Sequence, residues 1–179
     1  MFKAVIDTNV LLVANQQHGD ISLECVAACI ERLQSIQKSG VVVLDDNFHI
    51  LSEYQNKTRI NPPKGVGDVF LKGLLRNLGN PARVELVSIT ATNEQSFAEF
   101  PDPQLQREFD PADRVFPAVA NAHPDKPPIW QAADCKWLLW WPALQEKDIQ
   151  VAFLCPQDTQ RFYVNKFPEQ PKPTLPENK

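Results

Sequence analysis

The stretch Ala4-Val5-Ile6-Asp7-Thr8-Asn9-Val10-Leu11-Leu12 decides how this chain is read. A short apolar run ends in one carboxylate, passes through two small polar residues and resumes as a second apolar run. An uninterrupted apolar segment of this length suits a strand buried on both faces, and such strands belong to parallel sheets covered by helices. Asp7 would then stand at the carboxyl end of the strand, where open α/β sheets place their ligands. Taken alone, it serves equally well as the cap of the helix that follows.

Outward from this stretch, Leu23, Val26, Ala27, Ile30, Leu33 and Ile36 recur at helical spacing between Ser22 and Lys38. Asp20 or Ser22 can cap that helix and Gly40 stops it. Val41-Val42-Val43-Leu44 is a second buried strand, so strand, helix and strand make a βαβ unit with a right-handed crossover. Asp45-Asp46-Asn47 offers caps for a helix from Phe48 to Lys57, with Ile50, Leu51 and Tyr54 on its apolar side and Glu53 in its middle. Asn61-Pro62-Pro63-Lys64-Gly65 breaks the pattern before a helix over 66–78, and Val84 to Ile89 reads as a strand. Thr90 to Phe109 is weakly periodic and predicts a long loop with one helical turn.

Asp110-Pro111-Ala112-Asp113 has the form of a helix start, with Asp110 as the cap and proline at the first helical position. Pro117 would cost roughly 3 kcal/mol in a helix interior, which predicts a kink or a restart near Phe116. Ile129 to Ala133 is the next strand, ending in Asp134, followed by a helix over 135–144 and a last strand from Ile149 to Leu154. Trp137, Trp140, Trp141 and Leu144 share one helical face. They are read as core in preference to a platform for stacked bases. Five prolines from Pro156 onward set residues 156–179 apart as a proline-rich extension, extended or disordered from about Pro168. The expected architecture is a single α/β domain over 1–155, a central parallel sheet with helices on both faces.

At 179 residues and 43% apolar composition, the chain has material for one core. Its net charge of −4 gives no bulk support for a nucleic-acid partner. The distribution differs. Between Tyr54 and Arg83, six cations (Lys57, Arg59, Lys64, Lys72, Arg76 and Arg83) face Asp68 alone, a local excess of five. Such a stretch is either a solvated face or a rim for phosphates. Cys25, Cys29, Cys135 and Cys155 contain no C-x-x-C pair, and His18, His49 and His123 are scattered, so zinc-ligand spacing is absent. Cys25 and Cys29 are read as buried small hydrophobes, and nothing in the spacing implies a disulfide framework. The chain enters its first strand directly after Met-Phe-Lys, without the apolar core of a signal peptide, and no run reaches membrane-spanning length. A cytoplasmic location is expected.

Four acids now stand in related places. Asp7 ends the first strand, Glu53 lies in the helix after the second, Asp113 opens a helix and Asp134 ends a later strand. A parallel sheet can bring all four to one edge, where they would repel unless a cation neutralised them. Oxygen-only ligands favour hard cations such as Mg²⁺ or Mn²⁺.

In this arrangement the chain resembles the PIN domain family of metal-dependent nucleases. The resemblance rests on Val5-Ile6-Asp7-Thr8-Asn9-Val10-Leu11-Leu12, on Leu51-Ser52-Glu53 after an apolar strand, on Asp113 seven residues before Ala120, and on Asp134 after Ala132-Ala133 with Trp137 three beyond. It spans residues 3 to about 155. It implies cleavage of single-stranded RNA, with Asp7, Asp113 and Asp134 as metal ligands and Glu53 as a ligand or water-orienting base. It also implies that Thr8 or Asn9 holds Asp7 or a metal-bound water in place. Asp110 is an alternative third ligand to Asp113. Lys57, Arg59, Lys64, Lys72 and Arg76 are the candidate contacts to RNA phosphates.

Toxin, RNA-processing and defence roles all fit, with a protein inhibitor or antitoxin as partner in the first, and a homodimer is left open. Two other readings compete: a catalytically inactive module of the same fold that binds RNA or protein, and a phosphoryl-transfer enzyme using Asp7 as nucleophile. The last is disfavoured because no second aspartate follows Asp7 two residues later.

Overall fold

In the computed structural model, which describes residues 1–93 and 95–177, the chain folds around five strands that all pair in parallel. Strands β1 (Lys3–Ile6), β2 (Val41–Asp45), β3 (Val84–Val87), β4 (Ile129–Gln131) and β5 (Val151–Phe153) lie in the order β3-β2-β1-β4-β5. The helices are α1 (Thr8–Ala14), α2 (Leu23–Ser39), α3 (His49–Lys57), α4 (Val66–Arg76), α5 (Pro103–Glu108), α6 (Val115–Ala122), α7 (Trp137–Gln145) and α8 (Pro156–Lys166). The chain steps outward from β1 to β3 and then returns to the far side of β1 to lay down β4. Right-handed crossovers on that order place α2 and α4 on one face and α6 and α7 on the other. Consistent with this, α1, α2 and α4 pack on one another while α6 packs on β1, β2 and β4. The expected α/β architecture, a central parallel sheet flanked by helices in one domain, is the one observed.

β2 is buried at every position, as its unbroken β-branched run requires of a strand covered on both sides. The core face of α2 is Cys25, Cys29, Leu33 and Ile36, whereas Leu23 is 78% exposed. Leu23 lies two residues from Cys25, about 200° around the helix, so it points away from the stripe that the cysteines complete. α4 approaches α1 closely: a Cβ on Gly67 would stand 2.2 Å from the Leu11 carbonyl oxygen, so glycine is needed there.

Several expectations are corrected. Asp110 makes no side-chain cap. Pro111 opens a 3-10 turn over Pro111–Asp113, and α6 begins afterwards at Val115. Pro117 therefore falls in the first turn of α6, where its missing N–H has no intrahelical acceptor to lose, and the cost of an interior proline does not arise. The loop over 90–109 contains α5 and also feeds the core, because Phe97, Phe100, Leu105 and Phe109 are buried. Residue Glu94 of that loop lies outside the described residues, as do Asn178 and Lys179 at the end of the segment set apart as an extension.

That segment does not begin as an extension. Its first eleven residues form α8, with Asp158, Thr159 and Tyr163 buried. Two of those three anchors are polar, which is why apolar periodicity did not show the helix. Asp158 accepts from the backbone N–H and hydroxyl of Ser22, both at 2.9 Å, and the Thr159 hydroxyl donates to the Ala132 carbonyl at 3.0 Å. After α8 the chain turns over 168–170, and residues 173–174 lie against α7 and α8. Trp141 Nε1 donates to the Thr174 carbonyl at 3.1 Å. Trp137 and Trp140 are core, stacked or edge-on against Phe109. Among the described residues no helix is long and apolar enough to cross a membrane.

Cys25 and Cys155 are joined by a disulfide across 130 residues of sequence, which overturns the reading of Cys25 as a plain buried hydrophobe. The pairing follows from how α2 packs beside the start of α8, and cysteine spacing carries no trace of that. Closing so long a loop restricts the unfolded chain by about 3–5 kcal/mol on entropic grounds. Reduction by a dithiol should accordingly lower the melting temperature by roughly 10 °C, read by calorimetry of oxidised and reduced samples. An unchanged melting temperature would mean that the bridge adds nothing to the fold.

Candidate active site at the carboxyl edge of the sheet

The order of the strands reverses between β1 and β4, and an open sheet forms a crevice outside the carboxyl ends of its strands at such a point. Asp7 follows β1 and Asp134 stands three residues past β4, so both belong to this crevice. The Asp7 N–H donates to the Trp130 carbonyl at 3.0 Å, extending the β1–β4 pairing up to the carboxylate itself. One oxygen of Asp7 accepts from the Asn9 N–H at 2.8 Å, capping α1, and the other accepts from Gln131 Nε2 at 3.0 Å. A carboxylate has about four lone-pair positions, so roughly half its accepting capacity stays available.

Glu53 reaches the same place through α3. The buried Asp45 carboxylate accepts from the N–H groups of His49 and Ile50, at 2.8 and 3.0 Å, and so caps the start of that helix. Tyr54 then donates its hydroxyl to the Ile6 carbonyl. The neighbour of Glu53 is thereby tied to the neighbour of Asp7. Asp113 arrives at the end of the 3-10 turn that precedes α6.

The charges of Asp113, Asp134 and Glu53 all act on Asp7, although no three of the four acids bring carboxylate oxygens within 4.8 Å of one another. Burial pushes the Asp7 carboxyl well above the usual range, and the charges of Asp113, Asp134 and Glu53 push it further, with the Asn9 amide opposing. Asp113 is raised to about 7 by burial and then by Asp134, Asp110 and Glu53. Burial also raises Glu53 and Asp134. Asp110 stands beside this group with a different partner: Lys136 Nζ donates to it at 2.5 Å. A charge-assisted bond to a lysine has displaced the helix cap expected of Asp110. Among the described residues no cation is bonded to Asp113, although the Lys136 charge reaches it, and this favours Asp113 over Asp110 as the acid left to bind a ligand.

The two polar residues after Asp7 divide their work. Asn9 supports Asp7 through its backbone. Its side chain instead spans the crevice, donating to the Gln131 side-chain oxygen and accepting from the Ala132 N–H at 3.0 Å. The Thr8 hydroxyl is buried without a well-formed hydrogen bond, although it lies close enough to Glu53 to favour that carboxylate's charged form.

Gln131 was missed from sequence. It is fully buried and connects Asp7, Asn9 and, at 3.4 Å, the Asp134 N–H. An uncharged polar residue inside an otherwise apolar buried strand was the available signal, since buried polar groups are hydrogen-bonded to something. Lys136 and Lys166, whose charges both act on Asp134, were missed as well.

The basic stretch does not stay together. Lys57, at the end of α3, acts directly on Glu53. Arg59 and Lys64 lie on the loop between α3 and α4. That loop is folded around the buried Asp68 carboxylate, which accepts from the N–H groups of Arg59, Lys64 and Gly65. α4 then runs from the carboxyl edge of β2 toward the amino edge of β3. Its rise carries Lys72 about 9 Å and Arg76 about 15 Å from its first residue. Only the first three of the five cations belong to the edge that carries the acids.

No protein-family model, curated protein or solved structure matches this chain.

Proposed function

We propose that the chain is a Mg²⁺- or Mn²⁺-dependent endoribonuclease acting on single-stranded RNA, of the PIN type that its first motif resembles. The observation that carries this reading is one buried acid, Asp7, and three half-buried ones gathered around it at the topological switch point, with no lysine, arginine or histidine bonded to Asp7, Asp113 or Glu53 among the described residues. Acids held in this way await a cation. The donors are all oxygen, which suits a hard ion, and the buried Thr8 hydroxyl is a further polar atom lacking a full partner. Asp7, Asp113 and Asp134 would hold the ion.

Such an ion activates water and neutralises charge on a phosphodiester. Gln131 and the Asn9 amide fix the orientation of Asp7, and the Lys136 N–H, donating at 3.0 Å, does the same for Asp134. Glu53, made more basic by burial and kept charged by Thr8 and Lys57, would take a proton from an attacking water at a carboxylate oxygen. Lys57, Arg59 and Lys64 bind the phosphates of the strand. A cytoplasmic site of action requires the Cys25–Cys155 bridge to persist against a reducing pool, in which disulfides are rare. Toxin, RNA-processing and defence roles share this chemistry.

The test is cleavage of mixed RNA and single-stranded DNA with and without Mn²⁺. Full activity in excess chelator would sink the proposal, and RNA binding without cleavage would favour an inactive module. Two results are expected beside it. Gln131→Ala should weaken Mn²⁺ binding by roughly 10–100-fold in calorimetric titration, the usual cost of losing a group that orients a ligand. A Lys57, Arg59 and Lys64 triple alanine variant should weaken RNA binding alike for all sequences and flatten its salt dependence by up to about three contacts. A Lys72 and Arg76 double variant should change neither much. Equal effects from the two sets would place the RNA track along α4.

A further inference from the structure

Cys29 is unexplained by the disulfide beside it. It is fully buried, and among the described residues its thiol meets the sulfur of Cys155, 3.9 Å away, and no other hydrogen-bonding partner. Cys25 and Cys29 are one helical turn apart on the same face of α2, so both face Cys155. All three sulfurs lie within 4.8 Å of one another. Two thiolates bound to one ion at about 2.3 Å stand roughly 3.8–4.0 Å apart, which is the Cys29–Cys155 separation.

We propose that Cys25, Cys29 and Cys155, once reduced, form a three-thiolate site for one thiophilic cation of the zinc or cuprous type, separate from the carboxylate crevice. Soft sulfur donors select such ions over the hard ones that suit the acids. Two helix starts converge on the cluster: Cys25 is in the first turn of α2 and Cys155 caps α8. Both favour negative sulfur. Burial alone would hold the Cys29 thiol protonated, up to about 12, so an ion is what draws its proton away.

Opening the site needs a dithiol reductant. One of its thiolates attacks the Cys25–Cys155 bond, its second thiol resolves the mixed disulfide, and two electrons and two protons pass to Cys25 and Cys155. The reductant leaves as a disulfide. The incoming ion then displaces the thiol protons to solvent.

The full-length chain, reduced, freed of reductant under anaerobic conditions and checked for native circular dichroism, is titrated with Cd²⁺ as a spectroscopic probe and with Zn²⁺ and Cu⁺. One equivalent of Cd²⁺ is expected to raise a sulfur-to-metal charge-transfer band in the reduced protein and none in the oxidised protein. Cys29→Ala, which keeps the disulfide when oxidised, should lower affinity by at least about tenfold. Zn²⁺ or Cu⁺ should raise the melting temperature of the reduced wild type and not of that variant. Asp7→Asn should leave the band unchanged, which separates failure here from failure of the nuclease reading. After alkylation in mild denaturant, the ion-loaded wild type should carry label on Cys135 alone. Absence of the band in reduced wild type, its persistence unchanged in Cys29→Ala, or labelling of all four cysteines in the presence of ion would each overturn the proposal.

Discussion

Asp7→Asn is expected to lower Mn²⁺-dependent RNA cleavage by on the order of a thousandfold or more, about 4 kcal/mol, while raising the melting temperature of the metal-free protein. The two effects have one cause. Asp7 is 5% exposed, and its charge is opposed by burial and by three neighbouring acids. Asparagine keeps the shape and the acceptor for the Asn9 amide but removes the charge and turns a donor toward Gln131 Nε2, so the fold loses a repulsion larger than the one hydrogen bond given up, and the crevice loses its central acid. About 1–2 kcal/mol of stabilisation, roughly 2–8 °C, is the expected scale for a single relieved contact in a domain of this size. Calorimetry with and without Mn²⁺ separates the outcomes. The ion should stabilise the wild type and barely affect the variant. A variant that is less stable in both conditions would mean that Asp7 is a structural cap and nothing more.

The second large effect is a pH dependence that the ion removes. Asp113 stands near 3.8 in the unfolded chain and at about 7 in the fold, chiefly through burial and the charge of Asp134, and Asp7 is raised in the same direction. Between those values the folded chain binds more protons than the unfolded chain, so stability falls as pH rises. The contribution is full below about pH 4 and is lost as pH passes through about 7. Metal-free protein should therefore melt at a lower temperature at pH 7.5 than at pH 5, and saturating Mn²⁺ should flatten that slope. Carboxylates of the opposite kind do not interfere in this window. Asp68, where hydrogen bonds from Arg59, Lys64 and Gly65 outweigh burial, is lowered and loses its contribution only in stronger acid. A metal-free profile that rises from pH 5 to 7.5 would contradict the grouping of the acids.

The parallel sheet was legible because its strands are continuous apolar runs and its helices carry clear stripes, as in Val41-Val42-Val43-Leu44 and in α3 with Ile50, Leu51 and Tyr54. The acids were legible because each sits at the end of an element or, for Glu53, midway along a well-marked one. What stayed hidden was held by polar contacts between distant segments. α8 docks through Asp158 and Thr159, Gln131 bridges β4 to Asp7, and Cys155 finds Cys25, and none of these leaves a local period. The split of the basic stretch was hidden for another reason: proximity in sequence says nothing about which end of α4 a lysine occupies.

The strand order has a consequence for when the crevice exists during synthesis. β1 and β4 are neighbours in the sheet, yet Val5 pairs with Ile129, so Asp7 waits through more than two thirds of the chain for the strand beside it. Until β4 emerges, one flank of β1 is an open edge and the acids are scattered, with Asp134 not yet made. The crevice is complete only when the last strands dock, which is also when the long-range pairing that limits the folding rate is completed.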